Sequence, residues 1–444
     1  MAQKPEDTLS QAGRLVALLD HLDLIAAHFA GAMPGDLSAL AALHPQRIGG
    51  LVLCVPSRLD PAPFAGLAPR LLMIGAEAGP SAETTARARR RLPQARRVVL
   101  AGYEAAGSWA DAVADRTDEI ARPIIAFLGE IGSAATPRRA AGEGGHAGIN
   151  YQIAGRGPAL ILLPFFLAPS QWQPALPQLA KHFTVITLSG PYLGGVASLE
   201  DRARMPTYQA LFRTLVDLMS PRPGEKILEV GCGAGSLVRL LARRLGPANA
   251  ITGADANPYL LREAAALTAA QGLESTIRFT DGNAEALPFT DEAFDCAYSV
   301  TVFEECDAER AIAEIVRVTK PGGRVGLVVR ALDMRQWWNL DLPETLRRKV
   351  ERPPYSVARN GVADRSLYPR MRRAGLEGLV CFPSLVTLDR PGRPIWRNRE
   401  DAVLSVLEPE EVPVWQDARA AAAAEEMLFM AHPLHCAVGA KPKG

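Results

Sequence analysis

The chain has 444 residues, a length that suits two or three domains better than one. Apolar residues make up 48% of it, and 49 Lys and Arg offset 48 Asp and Glu for a net charge of +1. That balance excludes a nucleic-acid protein working through a broad basic face. The basic clusters are short, and the one at residues 87–91 reads as a solvated helix face. Six cysteines, at 54, 232, 296, 306, 381 and 436, form no CxxC pair and have no zinc-finger spacing, which suits a reducing compartment. The opening MAQKPEDTLSQAGRL lacks the apolar core of a signal peptide. The most apolar run, residues 159–169, is too short for a bilayer, which needs about 20 apolar residues. The expectation is a soluble, cytoplasmic protein with neither nucleic acid nor membrane as partner and with no metal.

Residues 1–132 alternate helical and strand patterns. Residues 15–25 predict a helix; 48–55, 70–74 and 97–100 predict buried strands; 120–128 predict a helix interrupted early by Pro123. Strands alternating with helices imply a parallel sheet. Residues 133–148, opening on SAATPRRAAGEGG, read as a flexible linker. Residues 149–154, 159–163 and 183–188 predict strands within a segment 149–204, and a third alternation runs over 205–444. The fold class is therefore α/β throughout.

The densest chemistry lies at the start of that third segment. Lys226–Val230 predicts a buried strand, runs into Gly231-Cys232-Gly233-Ala234-Gly235, and continues into a helix over Ser236–Leu245. Glycines in such a turn allow a sharp reversal and let a ligand approach the main chain, while the helix N-terminus offers free N–H groups. A second strand over residues 250–254 ends at Asp255, where an acid can accept both hydroxyls of a ribose. The bland alternative for Asp255, capping the next helix, is one that Asn257 can fill. Strands over 277–280, 294–299 and 325–329 follow, the last entered through a Pro321-Gly322-Gly323 turn.

The ordered set LEVGCGAG, GADANPYLLREA, DGNAEALPFTDEAFDCAYS and EIVRVTKPGGRVGLVVR resembles the class I S-adenosylmethionine-dependent methyltransferase superfamily. It is nearest the small-molecule branch that includes ubiquinone/menaquinone-type and sterol-type C-methyltransferases. The resemblance covers residues 205–444. It implies a Rossmann-like sheet of seven strands with the last antiparallel, that strand falling at residues 435–441. It also implies S-adenosyl-L-methionine as cofactor. By position, Gly231, Gly233 and Gly235 would line its methionine and ribose, Glu229 would stand at the loop entrance, and Asp255 with Ala256 would hold the ribose. Asn283 and Ala284 would border the adenine, with Asn283 standing where Asp is commoner. Ser299 and Thr301 would fall near the sulfonium.

A sulfonium activates its own methyl group, so alignment and exclusion of water supply much of the rate, and a base is needed only where the acceptor must lose a proton. Glu304 and Glu305 are the candidates, against the alternative of a solvated helix start. His432 and His435 flank Pro433 and read as packing residues rather than metal ligands. Trp337-Trp338 are either an apolar substrate wall or packing residues. The insert over residues 340–368 could cover an acceptor pocket. The acceptor is expected to be a small organic molecule, and the Trp pair with Phe303 favours a hydrophobic one.

Residues 14–128, through RLVALLDHLDL, AALHPQRIGGLVLCVPSRL, PRLLMIGAEAG and RPIIAFL, resemble the second half of an α/β-hydrolase. Residues 149–200, through INYQIAGRGPALILLP and QWQPALPQLAKHFTVITLSGP, resemble its first half. The family's nucleophile elbow falls on Ala30-Gly31-Ala32-Met33-Pro34-Gly35, which has no serine; Ser38 lies within the following helix. Glu77 could replace the acid only by a slipped register, and no histidine follows residues 98–100, where Ala101-Gly102-Tyr103-Glu104 stands. Without an activated hydroxyl no acyl-enzyme forms. Either the halves build one circularly permuted sheet, or the chain is cut from an ancestral tandem. The exposed edge that each half alone would leave favours the first. Such a domain could stabilise, shape access, or support a homo-oligomer. Two alternatives remain open at this stage: a non-catalytic S-adenosylmethionine-binding or scaffold protein, and a hydrolase with a displaced triad.

Overall fold

A computed structural model describes residues 9–104, 111–132, 141–166, 168–353, 355 and 357–443, without the side chain of Asp36. The chain divides into two units, Met1–Ser198 with Arg397–Ser405, and Leu199–Trp396 with Val406–Gly444.

The first unit runs α1 (Gln11–His21), β1 (Ala27–Gly31), α2 (Gly35–Leu43), β2 (Ile48–Cys54), β3 (Leu71–Ala78), α3 (Gly79–Arg91), β4 (Arg96–Glu104), α4 (Ala112–Asp115) and α5 (Thr117–Ile131). It continues with β5 (Gly142–His146), β6 (Ile149–Gly155), β7 (Ala159–Leu162), α6 (Leu176–Leu179), β8 (Thr184–Ser189) and α7 (Gly194–Arg204). The strands form one sheet in the order β4-β3-β2-β1-β7-β8-β6-β5. All neighbours are parallel except β6, which is antiparallel to both β8 and β5. β1 joins the two sequence segments, pairing His28, Phe29 and Ala30 with Leu160, Ile161 and Leu162. So residues before and after the expected linker share one sheet. The central strands are buried on both faces, which is why their sequences read as continuous apolar runs.

Several expectations change here. β1 is an additional strand; its AHFAG sequence is too short and too rich in small residues to stand out. The linker over 133–148 is wrong in its second part, because 142–146 pair antiparallel with β6. Residues 133–140 lie outside the described residues. α1 starts earlier than residue 15, because Ser10 Oγ accepts from the Gly13 N–H at 3.1 Å and caps it there. α5 continues through Pro123, its buried face of Ile120, Ala121, Ile124, Phe127 and Leu128 holding both sides of the proline in place. β4 extends through Glu104, so Ala101-Gly102-Tyr103-Glu104 is strand and not loop.

The second unit runs α8 (Pro206–Met219), β9 (Lys226–Val230), α9 (Ser236–Leu245), β10 (Ala250–Asp255), α10 (Pro258–Ala269), β11 (Ile277–Asp281), β12 (Phe294–Val300), α11 (Ala308–Val318) and β13 (Thr319–Arg330). Then come β14 (Trp337–Trp338), α12 (Glu344–Val350), α13 (Leu367–Arg373), β15 (Glu377–Cys381), β16 (Ser384–Leu388), α14 (Pro394–Leu404), whose residues from Arg397 onward count with the first unit, α15 (Glu411–Ala424) and β17 (Met430–Ala440). Strands β11-β10-β9-β12-β13 are parallel, and β17 runs antiparallel to β13. The sheet has nine strands rather than seven. β17 is 11 residues long but pairs with β13 only through residues 434–440. Its projecting start takes β14 and β16, while β15 pairs with its far end. The Pro321-Gly322-Gly323 turn lies inside β13, marked by a φ of +74° at Gly322 and a register shift against β12.

The boundary expected at residue 205 falls at Leu199 instead, and Arg397–Ser405 belongs with the first unit. There Arg397 Nη1 donates to the Gly35 carbonyl at 2.6 Å, and Asn398 Nδ2 donates to Ser198 Oγ at 2.7 Å. Sequence order alone could not signal a segment returning from so far along the chain.

Candidate functional site

The parallel strands of the second unit all end on one side, and the glycine loop leaves β9 there. Gly231, Gly233 and Gly235 all have positive φ, at +73°, +54° and +71°. At Gly231 a side chain is excluded twice, by this backbone and because a Cβ would overlap the methyls of Val302. The Gly231 and Cys232 N–H groups both donate to the Ala254 carbonyl, at 2.7 and 3.0 Å, which fastens the loop to β10. Gly235 then opens α9.

Asp255 ends β10 as expected. Its Oδ2 accepts from the Gly233 N–H at 2.7 Å and its Oδ1 from the Asn257 N–H at 2.9 Å. Asn257, not Asp255, caps α10, accepting from the Tyr259 and Leu260 N–H groups. Asp255 is thereby free of the helix-cap role, and each of its oxygens keeps a second lone pair for a ligand hydroxyl. Burial raises its pKa against the two backbone hydrogen bonds. Ala256 beside it is exposed.

Glu229 sits at the loop entrance, 2% exposed. Tyr298, opposite it in the β12–β9 register, donates its hydroxyl to Oε2 at 3.0 Å. Burial pushes the Glu229 carboxyl up to about 8, against the pull of Tyr298, Arg202 and Arg239. Ser299 is buried with its hydroxyl donating to the Val230 carbonyl at 2.8 Å, so it ties β12 to β9. Thr301 holds a φ of +57°, a conformation that costs a β-branched residue about 1–3 kcal/mol and concentrates at functional sites. Arg202 Nη1 donates to its Oγ1 at 2.8 Å.

Asn283 is exposed two residues beyond β11, its Oδ1 accepting from the Glu285 N–H at 2.9 Å. Ala284 packs into the core with Leu228, Val230, Ala254 and Leu287. Phe303, the aromatic expected beside the acceptor, is also in that core. Trp337 is exposed beside Phe429, whereas Trp338 is buried edge-on between Trp396 and Trp415. His432 bonds Tyr208, while His435 lies between Tyr368 and Asp333, at 2.9 and 2.8 Å. Among the described residues no group of His, Cys, Asp and Glu could hold a metal. No helix among the described residues is long and apolar enough to cross a membrane.

The two candidate bases separate. Glu305 pairs with Arg330 Nη2 at 2.5 Å and is part exposed. Glu304 is fully buried, so a solvated helix start does not describe it. α11 begins later, at Ala308, capped by Asp307. Glu304 Oε1 accepts from the Arg330 N–H at 2.6 Å and from its Nε at 3.3 Å. Oε2 has no partner among the described residues. Burial raises this carboxyl and Arg330 lowers it, burial being the larger.

Sequence reasoning missed the residues that brace the loop. Leu199 lies against Gly233. Arg239 donates to the Ala234 carbonyl at 2.6 Å and forms a buried pair with Glu200. The signal was present, because Arg239 interrupts the apolar run Leu237-Val238-Arg239-Leu240-Leu241 inside α9.

Residues 228–327, the loop together with β10, β11, β12 and most of β9 and β13, match the family model described as a methyltransferase domain. This stretch is a methyltransferase domain. Its fold is that of the S-adenosylmethionine-dependent enzymes, and S-adenosylmethionine is the cofactor of that fold. Among similar proteins, the ubiquinone/menaquinone biosynthesis C-methyltransferase UbiE of Legionella pneumophila (strain Paris) is 33% identical over 26% of this chain and 46% of its own length. The nocamycin O-methyltransferase of Saccharothrix syringae is 32% identical over 32% of this chain and 51% of its own. The 24-methylenesterol C-methyltransferase 2 of Oryza sativa subsp. japonica is 30% identical over 45% and 53%. The chain spans about half the length of these curated relatives. The methyltransferase domain has a cradle that fits the cofactor: a loop closed to side chains at Gly231, an acid at the end of β10, and a helix N-terminus at Gly235.

Proposed function

We propose that the chain transfers a methyl group from S-adenosylmethionine to a small organic acceptor. The observation that carries this reading is the joint held by Gly233 and Asp255, where the loop N–H and the carboxylate meet at 2.7 Å beside the start of α9. Gly231, Gly233 and Gly235 would follow the methionine and ribose, Asp255 and Ala256 the ribose hydroxyls, and Asn283 and Ala284 the adenine. Glu229 would meet the methionine end and Ser299 would keep β12 and β9 in register beneath it. The cofactor supplies an activated methyl group; the chain supplies alignment, exclusion of water and, where needed, a base. Hydrophobic acceptors suit the site less through Trp338 and Phe303 than the sequence implied, since both are committed to cores.

The first unit is proposed to be a hydrolase-like fold in permuted order, without hydrolase activity. Its support is the single sheet built across β1 and β7 and the buried Ala32 at the elbow position, with Ser38 turned back to bond the Gly35 carbonyl at 3.2 Å. Glu77 accepts from the Gly102 N–H, a structural use. Self-association through this unit is a further proposal. Its sheet ends on β4 and β5 as edges, and sedimentation at two concentrations tests it.

The test of the main reading is incubation with methyl-labelled S-adenosylmethionine and a panel of phenols, amines and polyprenylated quinols. Label in a small product with matching S-adenosylhomocysteine supports it. Cofactor binding without turnover on any acceptor would favour the non-catalytic alternative.

A further inference from the structure

Glu304 is a fully buried carboxyl of the second unit that the cofactor cradle does not explain. It follows β12 by four residues, two after the Val302 that closes on Gly231, and so stands on the strand-end side where the cofactor loop lies. One of its oxygens is fixed by the end of β13, through the Arg330 N–H and Nε. The other is buried and unpartnered among the described residues. A buried carboxylate oxygen without a donor costs about 1–3 kcal/mol or more, a cost that native structures rarely carry without a role.

Residues 358–362 pack directly over Glu304, which is fully buried. The Ala358 N–H donates to the Glu304 carbonyl at 2.8 Å, the Val362 N–H to the Phe303 carbonyl at 2.9 Å, and Asn360 Nδ2 to Asp307 at 2.8 Å. These bonds hold residues 358–362, part of the insert between β13 and α13, across the backbone that carries the carboxyl.

We propose that Glu304 Oε2 is the proton acceptor for the methyl acceptor, which is therefore a neutral molecule bearing an O–H or N–H that does not ionise by itself at neutral pH, such as a phenol. This rests on the methyltransferase reading above. As the acceptor heteroatom's lone pair forms its bond to the methyl carbon, the carbon–sulfur pair returns to sulfur and the heteroatom's proton passes to Oε2. One positive and one negative charge disappear together, so the buried site ends the step neutral. Glu305, already paired with Arg330 and reached by water, is not needed for this. Residues 358–362 are the segment that must part for the acceptor to reach Oε2.

The test compares the full chain with Glu304→Gln, which keeps an acceptor oxygen for Arg330 and removes the base. Three readouts are taken: S-adenosylmethionine affinity by calorimetry, a carboxyl infrared titration, and methylation of phenol, catechol and 4-nitrophenol between pH 6 and 9. The expected result is cofactor affinity within about twofold and a titrating carboxyl band lost in the variant. Turnover of phenol and catechol should fall about 10²–10⁴-fold, the range for a general base. The fall should be much smaller for 4-nitrophenol at high pH, where it is already ionised. Equal turnover by both proteins, no Glu304-dependent carboxyl band, or no turnover of any of the three probes by cofactor-bound wild type would each overturn the proposal. Failure of wild type to bind the cofactor would instead overturn the methyltransferase reading beneath it.

Discussion

Tyr298 donates its hydroxyl to Glu229 at 3.0 Å across β12 and β9, and both residues are almost wholly buried. The pair places an acid under the glycine loop in a dry setting, where its charge is disfavoured and burial pushes its pKa up to about 8. The stability consequence has a definite sign. Between the ordinary carboxyl value of 4.5 and about 8 the unfolded chain has lost this proton and the folded chain keeps it. Glu229 therefore lowers stability progressively as pH rises through that window, and the loss levels off above it. Denaturant unfolding from pH 5 to 9 should show Glu229→Gln gaining on wild type up to about pH 8. Parallel curves for the two proteins would contradict the buried, protonated carboxyl.

The Arg239–Glu200 pair is buried, and the same guanidinium holds the Ala234 carbonyl of the loop. Removing one partner of such a pair costs about 3–5 kcal/mol, because the other charge is left buried and alone. Arg239→Met should lower stability by that order and also weaken S-adenosylmethionine binding, since the loop loses a donor. Thermal unfolding and calorimetry check the two effects separately. A stability loss with unchanged affinity would confine Arg239 to packing.

Gly231 is constrained by its own backbone and by Val302. Gly231→Ala should destabilise by at least ~2 kcal/mol, combining left-handed backbone cost and overpacking. Adding Val302→Ala should recover only the packing part. Full recovery in the double variant, measured by denaturant midpoint, would show that φ at this position is not restrictive.

The two adjacent tryptophans should behave oppositely. Trp338 is 4% exposed and packed against two other indoles, while Trp337 is 51% exposed. Trp338→Ala should cost about 3–5 kcal/mol and Trp337→Ala within about 1 kcal/mol. Similar losses in the two would contradict the alternation of exposed and buried faces along β14.

What was legible in the sequence follows from how local each feature is. Lys226–Val230 and Ser236–Leu245 were read with their exact ends, because a buried strand, positive-φ glycines and an amphipathic helix each leave a local pattern. Asp255 was legible for the same reason, and Asn257 resolved its alternative role. The braces were not legible: Glu200 meets Arg239 and Tyr298 meets Glu229 only once strands and helices have packed. β14, β15 and β16 were missed because they are short strands recruited by the free edge of β17, a tertiary cause without a local signature. β5 hid inside a glycine-rich stretch for the same reason, since it is held by pairing with β6 and by packing against α1, where His146 stacks on His21. Glu304 and Glu305 looked alike in sequence; burial alone separates them.

The central claim is that the loop over residues 229–235 together with Asp255 holds S-adenosylmethionine. Its most direct test is calorimetric titration of the full chain with that cofactor, alongside Asp255→Ala. The account predicts binding at low- to mid-micromolar Kd, about −7 to −8 kcal/mol, weakened at least about tenfold in the variant. No binding by the wild type, or equal affinity in both proteins, would contradict it.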